Sequence, residues 1–300
     1  MEKSFGRGVW NLSLVYNEQD MDGKGDSTKI EEIQNASVLE LREDCNLLTD
    51  YYRTKQLVEA VIFNINEYHE SVSRSIKLHA KSKAVGDDKL SNEIRRIPYH
   101  ILNILGTFRA FLDHTNYSLS KKYGDKSSEI KQWEEMQSRL YDTVFAYRFI
   151  YKLRNYCQHV GMPPLQIKTY KSAENRSQKY HLLLDRDSLL EERSVWNKTL
   201  ITDLKERPED IRLSEIVELW TLSFRDLANY LLKFKRNYVL KSAQNIVAIS
   251  DQISLTKKRG KLCMVWIPDN IPSEGDLHIK MHWLPEQLAR DVLSEEYVKA

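Results

Sequence analysis

Apolar residues recur at steps of three and four along most of this 300-residue chain, and this spacing limits the possible folds more than any other feature. Side chains at such steps lie on one face of an α-helix, which must then pack against another element. Glycine and proline are scarce, at 10 and 7 residues, so little interrupts the pattern. The sequence therefore predicts long helices, and their expected ranges are about 37–81, 98–123, 128–159 and 214–241. The first range fits one helix or two with a bend.

Shorter stretches follow the alternating pattern of β-strands. A first strand is expected at 8–16, before a polar loop at 17–29. Two β-hairpins and a short helix are expected after Pro163-Pro164, at 165–170 with 179–184, at 262–267 with 276–283, and at 285–293. We predict a mainly α fold, a helical bundle with two added β-hairpins. Its segments are 1–36, a helical core at 37–164, and 165–300 packed on that core.

Composition limits the class of protein but does not name one. A hydrophobic content of 41% is typical of a folded chain, and the net charge of +2 favours neither a nucleic-acid partner nor its absence. The three cysteines lie far apart, which suits reduced thiols, and the chain has no C-x-x-C or H-E-x-x-H pair. The first residues have no apolar signal-peptide core, and no apolar run approaches the roughly 20 residues that span a bilayer. We expect a cytoplasmic protein without cofactor, metal or membrane partner.

Two acidic clusters suggest metal sites, but other interpretations fit them better. Asp20, Asp22 and Asp26 have part of a calcium-loop spacing, yet Lys24 occupies a ligand position. We interpret this stretch as a solvated loop. Asp185 and Asp187 precede a Ser-x-x-Glu capping-box pattern, so the start of a helix accounts for them.

The functional prediction depends on the end of the third helix. There the apolar stripe continues onto Arg154, Asn155 and His159, before Gly161 and Pro163-Pro164 end the helix. Burial of an unpaired charge costs several kcal/mol. These polar groups are therefore expected either to leave the core or to line a cleft.

The run Arg154-Asn155-Tyr156-Cys157-Gln158-His159 in a helical bundle resembles the R-x(4–6)-H motif of the HEPN superfamily. The resemblance covers roughly residues 38–160. It implies an HEPN-like bundle and a metal-independent endoribonuclease that acts as a homodimer on RNA, in phage defence or as the toxin of a toxin–antitoxin pair. An antitoxin or a defence-complex component would then be a further partner.

The residue types suit that chemistry. Attack by a 2′-hydroxyl on the adjacent phosphate needs a base, an acid and a cation for the charged phosphorane. Arg154 would supply the cation and His159 a proton carrier, with Asn155 to orient His159 or a phosphate. Only one histidine lies in the motif, so a dimer would supply the second. Arg154 and His159 lie about 140° apart on an ideal helix and do not share a face. If the helix ends near Gln158, His159 is free to turn inward.

Further residues are candidate RNA contacts, each with a structural alternative. Tyr151 and Tyr156 could stack on bases or belong to the core. Arg109 and His114 could contact RNA, or Arg109 could pair with Asp113 on the surface.

Two other sequence features suggest chemistry but have simpler interpretations. Cys157 diverges from His159 on a helix and is not expected to act as a nucleophile. A basic group, Lys233, Lys235, Arg236 and Lys241, fits a helix C-terminus better than an RNA surface. Two other functions stay open: an inactive HEPN module that binds RNA, a nucleotide or a protein, and a purely structural interaction protein.

Overall fold

The computed structural model describes residues 8–19, 26–33, 38–81, 88–171, 178–256, 260–268 and 279–294. The described part is mainly helical with small antiparallel sheets, which confirms the predicted fold class. Its elements are β1 (Gly8–Gln19), β2 (Asp26–Glu32), α1 (Val38–Lys81), α2 (Asp88–Tyr123), α3 (Ser128–Thr143), α4 (Phe145–His159), β3 (Leu165–Lys171), β4 (Gln178–Asp185), α5 (Arg186–Glu191), α6 (Lys198–Lys205), β5 (Asp210–Arg212), α7 (Leu213–Thr256), β6 (Lys261–Pro268), β7 (Lys280–Trp283) and α8 (Glu286–Leu293).

The chain divides into two compact units. Met1–Arg53 and Leu231–Lys299 form one, here called the sheet unit, and Thr54–Tyr230 forms the other, the helical unit. The long helices α1 and α7 contribute residues to both units. Within the described ranges, no helix is both long enough and apolar enough to cross a membrane.

The sheet unit contains a four-stranded antiparallel sheet in the order β2-β1-β6-β7. The two central strands confirm strands expected at 8–16 and 262–267. The structure pairs them, with Leu12 of β1 opposite Met264 of β6. The prediction of a loop over 17–29 is wrong at both ends, because β1 continues to Gln19 and β2 begins at Asp26. Strand β2 lies at the sheet edge and its exposed residues include Ile30, so it lacks the alternation that marks a half-buried strand. Residues 20–25, part of the calcium-loop hypothesis, lie outside the described residues.

The basic stretch of α7 has a structural role in the sheet unit. The helix continues to Thr256, so the prediction that these cations lie at a helix C-terminus is wrong. Lys235 and Arg236 are buried; Lys235 Nζ lies 3.3 Å from an Asp50 carboxylate oxygen, and Arg236 Nε donates to the Val292 carbonyl at 2.7 Å. Both groups therefore hold the unit together and are not free to bind RNA.

The helical unit is built around an aromatic core. Phe108 of α2 makes edge-to-face contacts with Tyr147 of α4 at 5.7 Å and with Trp220 of α7 at 5.1 Å between ring centroids. Phe111, one turn along α2, contacts Trp133 of α3 and Phe224 of α7 in the same way. Such pairs add about 0.5–1.5 kcal/mol each to the effect of burial. Helix α2 begins ten residues before Pro98, so the prediction that it starts at this proline is wrong.

The predicted single helix over 128–159 is two helices. Val144 is extended, with φ −112° and ψ 107°, and separates α3 from α4. The carbonyls of Tyr141 and Asp142, left without helical partners, accept hydrogen bonds from Arg148 Nη1. Arg148 also binds Asp203 of α6 through Nε at 2.9 Å and Nη2 at 2.8 Å. This buried arginine therefore stabilises the break.

A second antiparallel sheet, in the order β3-β4-β5, follows α4. Strands β3 and β4 confirm the predicted hairpin, whose tip at 172–177 lies outside the described residues. Asp185 accepts a hydrogen bond from the Ser188 backbone N–H at 2.7 Å and caps α5. A helix therefore starts here as expected, but its cap is Asp185 and not Ser188 of the predicted capping box. The second predicted hairpin corresponds to β6 and β7, and the last helix to α8.

Candidate functional site

Helix α4 carries the Arg-x(4)-His run on a strongly amphipathic segment. Its apolar side chains are buried, among them Phe149, Ile150 and Leu153. The helix extends through His159, and the backbone N–H groups of Val160 and Gly161 both donate to the Tyr156 carbonyl, at 2.9 and 3.3 Å. Gly161 has a φ of 156°, a conformation that suits glycine, and the helix ends there as predicted.

Arg154 and Asn155 are half-buried and line a cleft of about 280 Å³ between α2 and α4. Two of the predicted RNA contacts, Arg109 and Tyr151, line the same cleft together with Lys152. Its remaining walls are apolar and consist of Leu105, Phe108, Leu112 and Ile150. The structure thus brings together four residues that the sequence analysis proposed for the site.

The two arginines of this cleft differ in their partners. Arg109 binds both Asp113 carboxylate oxygens, with Nε and Nη2 each at 2.8 Å, and donates from Nη1 to the Tyr151 hydroxyl at 3.2 Å. Burial acts to lower the pKa of Arg109, but the Asp113 carboxylate outweighs it and raises the pKa above its ordinary value. Arg154 makes no hydrogen bond or ion pair with the residues that the structure describes. Its charge is therefore available to an anion.

His159 is exposed at the end of α4 and does not line the cleft. Because the helix continues through His159, its side chain leaves α4 about 140° around the axis from Arg154. The condition for an inward turn of His159, a helix end near Gln158, is therefore not met within one chain. Nor does Asn155 hydrogen-bond to His159 in the described part of the protein, so Asn155 does not orient this imidazole.

The other sequence candidates lie away from the cleft. Tyr156 is buried and stacks on Trp196, with ring centroids 5.5 Å apart, so its ring is not free to stack on a base as predicted. His114 is exposed on α2 and does not line the cleft. Burial raises the pKa of Cys157 to about 11, so this thiol is protonated at neutral pH and is a poor nucleophile.

A second cleft, of about 520 Å³, shares Tyr151 and Lys152 with the first. It is lined mainly by polar side chains that the sequence analysis did not select, and these are Asn116, Glu134, Gln137, Ser138, Tyr141, Asp142 and Tyr147. The members of this set on α3 recur at steps of three and four and so lie on one polar face of the helix. That polar face is the sequence signal that could have identified them. The two clefts adjoin at Tyr151 and Lys152 of α4, and both together are here called the α4 groove.

A larger cavity, of about 890 Å³, lies at the other end of α4 and contains none of the predicted site residues. Three of its charged groups already have partners, since Asp210 binds Lys168 of β3 and Arg212 binds Glu215, each at 2.6 Å. We therefore place the candidate site in the α4 groove. Among the described residues, no three or more His, Cys, Asp or Glu side chains group as metal ligands would.

Comparisons with protein-family models, curated proteins and solved structures find no match for this chain. The resemblance to the HEPN superfamily thus depends on the run from Arg154 to His159 and on its helical setting.

Proposed function

We propose that this chain is a metal-independent endoribonuclease whose active site forms between two copies of the protein. The observation that carries the proposal is the state of Arg154. It is a half-buried guanidinium, beside Asn155 and Lys152 in a cleft, and it has no partner among the described residues. A cation held there without a carboxylate suits the charged phosphate of RNA.

The surroundings of Arg154 strengthen an electrostatic role. Apolar side chains form the walls behind it, so fewer water molecules screen its charge than at an open surface. Asn155 can donate to a phosphate oxygen, and Lys152 adds a second positive charge. Arg148, six residues earlier on the same helix, is by contrast committed to Asp203 and to backbone carbonyls.

The direction of His159 favours a site shared between chains. Because His159 and Arg154 leave α4 on different sides and the motif holds one histidine, one chain does not supply two proton carriers for one phosphate. In a two-fold dimer that brings the two His159 side chains together, both could reach a phosphate held by Arg154 of either copy. The segment after His159 is exposed and includes Val160 and Met162, at 39% and 48% exposure, which supply apolar area for such a contact.

The proposed reaction is an internal displacement at phosphorus. One His159 accepts the proton of the 2′-hydroxyl while the 2′-oxygen forms a bond to phosphorus. The partner's His159 donates a proton to the departing 5′-oxygen as the P–O5′ bond breaks. Arg154 stabilises the phosphorane. The products are a 2′,3′-cyclic phosphate and a 5′-hydroxyl.

A second function is favoured by the position of His159 outside the cleft. A chain that binds RNA, a nucleotide or a protein partner through the α4 groove needs Arg154 but no histidine. We prefer the ribonuclease because the motif carries both residues. Under either function we propose a cytoplasmic protein, and for the nuclease a role in phage defence or a toxin system, with a partner that restrains it.

The test is incubation of the full chain with total RNA in EDTA. Wild type should cleave, and Arg154→Ala and His159→Ala should each reduce the rate by about 10²-fold or more. Arg139→Ala is the matched control, since Arg139 is exposed on α3 and lines neither part of the α4 groove. RNA binding without cleavage supports the second function. Cleavage that requires added metal contradicts the mechanism.

A further inference from the structure

The larger part of the α4 groove has the size and lining of a site for one aromatic ring. Its volume of about 520 Å³ lies within the range of small-ligand sites. Tyr151 and Lys152 belong both to this part and to the cleft that holds Arg154. A nucleotide whose phosphate binds Arg154 could therefore place its base here.

One buried group in this part of the groove lacks a partner. Tyr147 is 1% exposed, and its hydroxyl makes no hydrogen bond. Buried hydroxyls without a partner are rare in folded proteins, and each one calls for an explanation. Tyr147 lines the groove but its oxygen is covered, so a bound ligand would satisfy this hydroxyl if the wall of the groove shifts on binding.

The rim of this part carries charged groups that are not used elsewhere. The carboxylates of Glu134 and Asp142 are exposed on the polar face of α3, and neither makes a hydrogen bond or ion pair with another described residue. The same holds for the ammonium group of Lys152 on α4. The groove thus offers hydrogen-bond acceptors from α3 and a donor from α4. A ligand that binds between them needs donors on one edge and acceptors on another.

Two aromatic rings in the groove are held in fixed positions. The centroids of Tyr141 and Tyr151 lie 5.7 Å apart, with their planes at 86°. Asn197 Nδ2 donates to the Tyr141 hydroxyl at 2.9 Å, and Arg109 donates to that of Tyr151. Because the rings are perpendicular, a bound base can stack on one of them and meet the edge of the other.

We propose that this part of the α4 groove is a guanine-binding subsite that selects the base next to the scissile phosphate. Guanine presents two adjacent donors, N1–H and N2–H, which match a carboxylate such as Glu134 or Asp142. Its O6 and N7 acceptors match a lysine, here Lys152. Adenine and cytosine place an acceptor beside their amino group, which a carboxylate repels. The inference rests on the proposed ribonuclease, because it assumes that a phosphate binds Arg154.

Binding of nucleoside 3′-monophosphates, measured by calorimetry on the full chain, tests the proposal. The guanosine compound should bind roughly tenfold or more tightly than those of adenosine and uridine. The inosine compound, which lacks the 2-amino group, should bind more weakly than the guanosine compound. Glu134→Gln or Asp142→Asn should remove the preference, whereas Glu135→Gln, a change at an exposed acid outside the groove, should not. Arg154→Ala should weaken all four ligands by a similar factor.

The outcomes separate this proposal from the proposed function. RNA cleavage without any preference among the four nucleotides would overturn the guanine subsite and leave the ribonuclease intact. Guanosine-selective binding by a chain that does not cut RNA would support the subsite and refute the ribonuclease. A preference for guanosine that survives in both Glu134→Gln and Asp142→Asn would also overturn the assignment.

Discussion

Arg148 is predicted to be the most destabilising of the α4 arginines to replace. In Arg148→Met the side chain keeps an unbranched apolar stem but loses the guanidinium and with it every polar contact. Asp203 then loses two hydrogen bonds, and the carbonyls of Tyr141 and Asp142 at the end of α3 lose their donor. The matched change is Arg154→Met, where no hydrogen bond or ion pair with a described residue is lost.

The size of the effect follows from burial. The Arg148 side chain is 7% exposed and that of Asp203 23%, so the pair lies largely out of water. Removing one partner of a buried pair costs about 3–5 kcal/mol, and each carbonyl left without a donor adds to that range. Because Asp203 is partly exposed to water, we expect a cost in the lower half of this range. We expect a loss of about 3–4 kcal/mol in the free energy of unfolding, or roughly 6–16 °C in Tm.

The assay is urea unfolding followed by circular dichroism, with the two variants measured beside wild type. Arg154→Met should change the free energy of unfolding by less than about 0.5 kcal/mol. A loss under 1 kcal/mol in Arg148→Met would refute the structural role of Arg148. An equal loss in both variants would refute the contrast between a structural and a functional arginine.

Three further predictions concern stability and reactivity. Trp196→Leu should lower the free energy of unfolding by about 2–4 kcal/mol in the same urea assay. This buried ring stacks on Phe149 and Tyr156, and its Nε1 donates to the Leu189 carbonyl at 2.7 Å. Burial acts to raise the pKa of Glu93, but hydrogen bonds from Arg74 and Ser71 outweigh it and lower the pKa. That stabilisation is complete above the unfolded pKa of about 4.3 and is lost as the pH falls through the lower folded pKa. In Glu93→Gln the free energy of unfolding should therefore fall less steeply with decreasing pH than in wild type. Burial raises the pKa of Cys45 to about 12 and that of Cys157 to about 11. Native protein should therefore react with a thiol reagent at pH 8 far more slowly than urea-unfolded protein. An equally fast reaction would contradict the burial of these thiols.

The sequence predicted the helices better than their ends. Apolar periodicity identified α1, α2 and α7, since it depends only on which residues face the core. It missed the break at Val144, because that break depends on Arg148 reaching back to the end of α3 and across to Asp203 of α6. It also missed β2, whose exposed edge position needs no apolar alternation.

The site was predictable as far as local spacing allows. Arg154 and Asn155 were selected from the motif, and the packing of α2 on α4 then placed Arg109 beside Tyr151. An inward turn of His159 was expected only if the helix ended near Gln158, and α4 continues one residue further, through His159. Glu134 and Asp142 gave no signal of their own, since acids on an exposed helical face are common.

The central claim is that Arg154 and His159 promote attack by the 2′-hydroxyl of RNA. The most direct measurement is mass spectrometry of the ends produced from a short RNA in EDTA, beside the same RNA with one 2′-deoxynucleotide at the cut site. We predict a 2′,3′-cyclic phosphate and a 5′-hydroxyl from the RNA and no cut at the deoxy position. A 5′-phosphate product, or cleavage at the deoxy position, would contradict the mechanism.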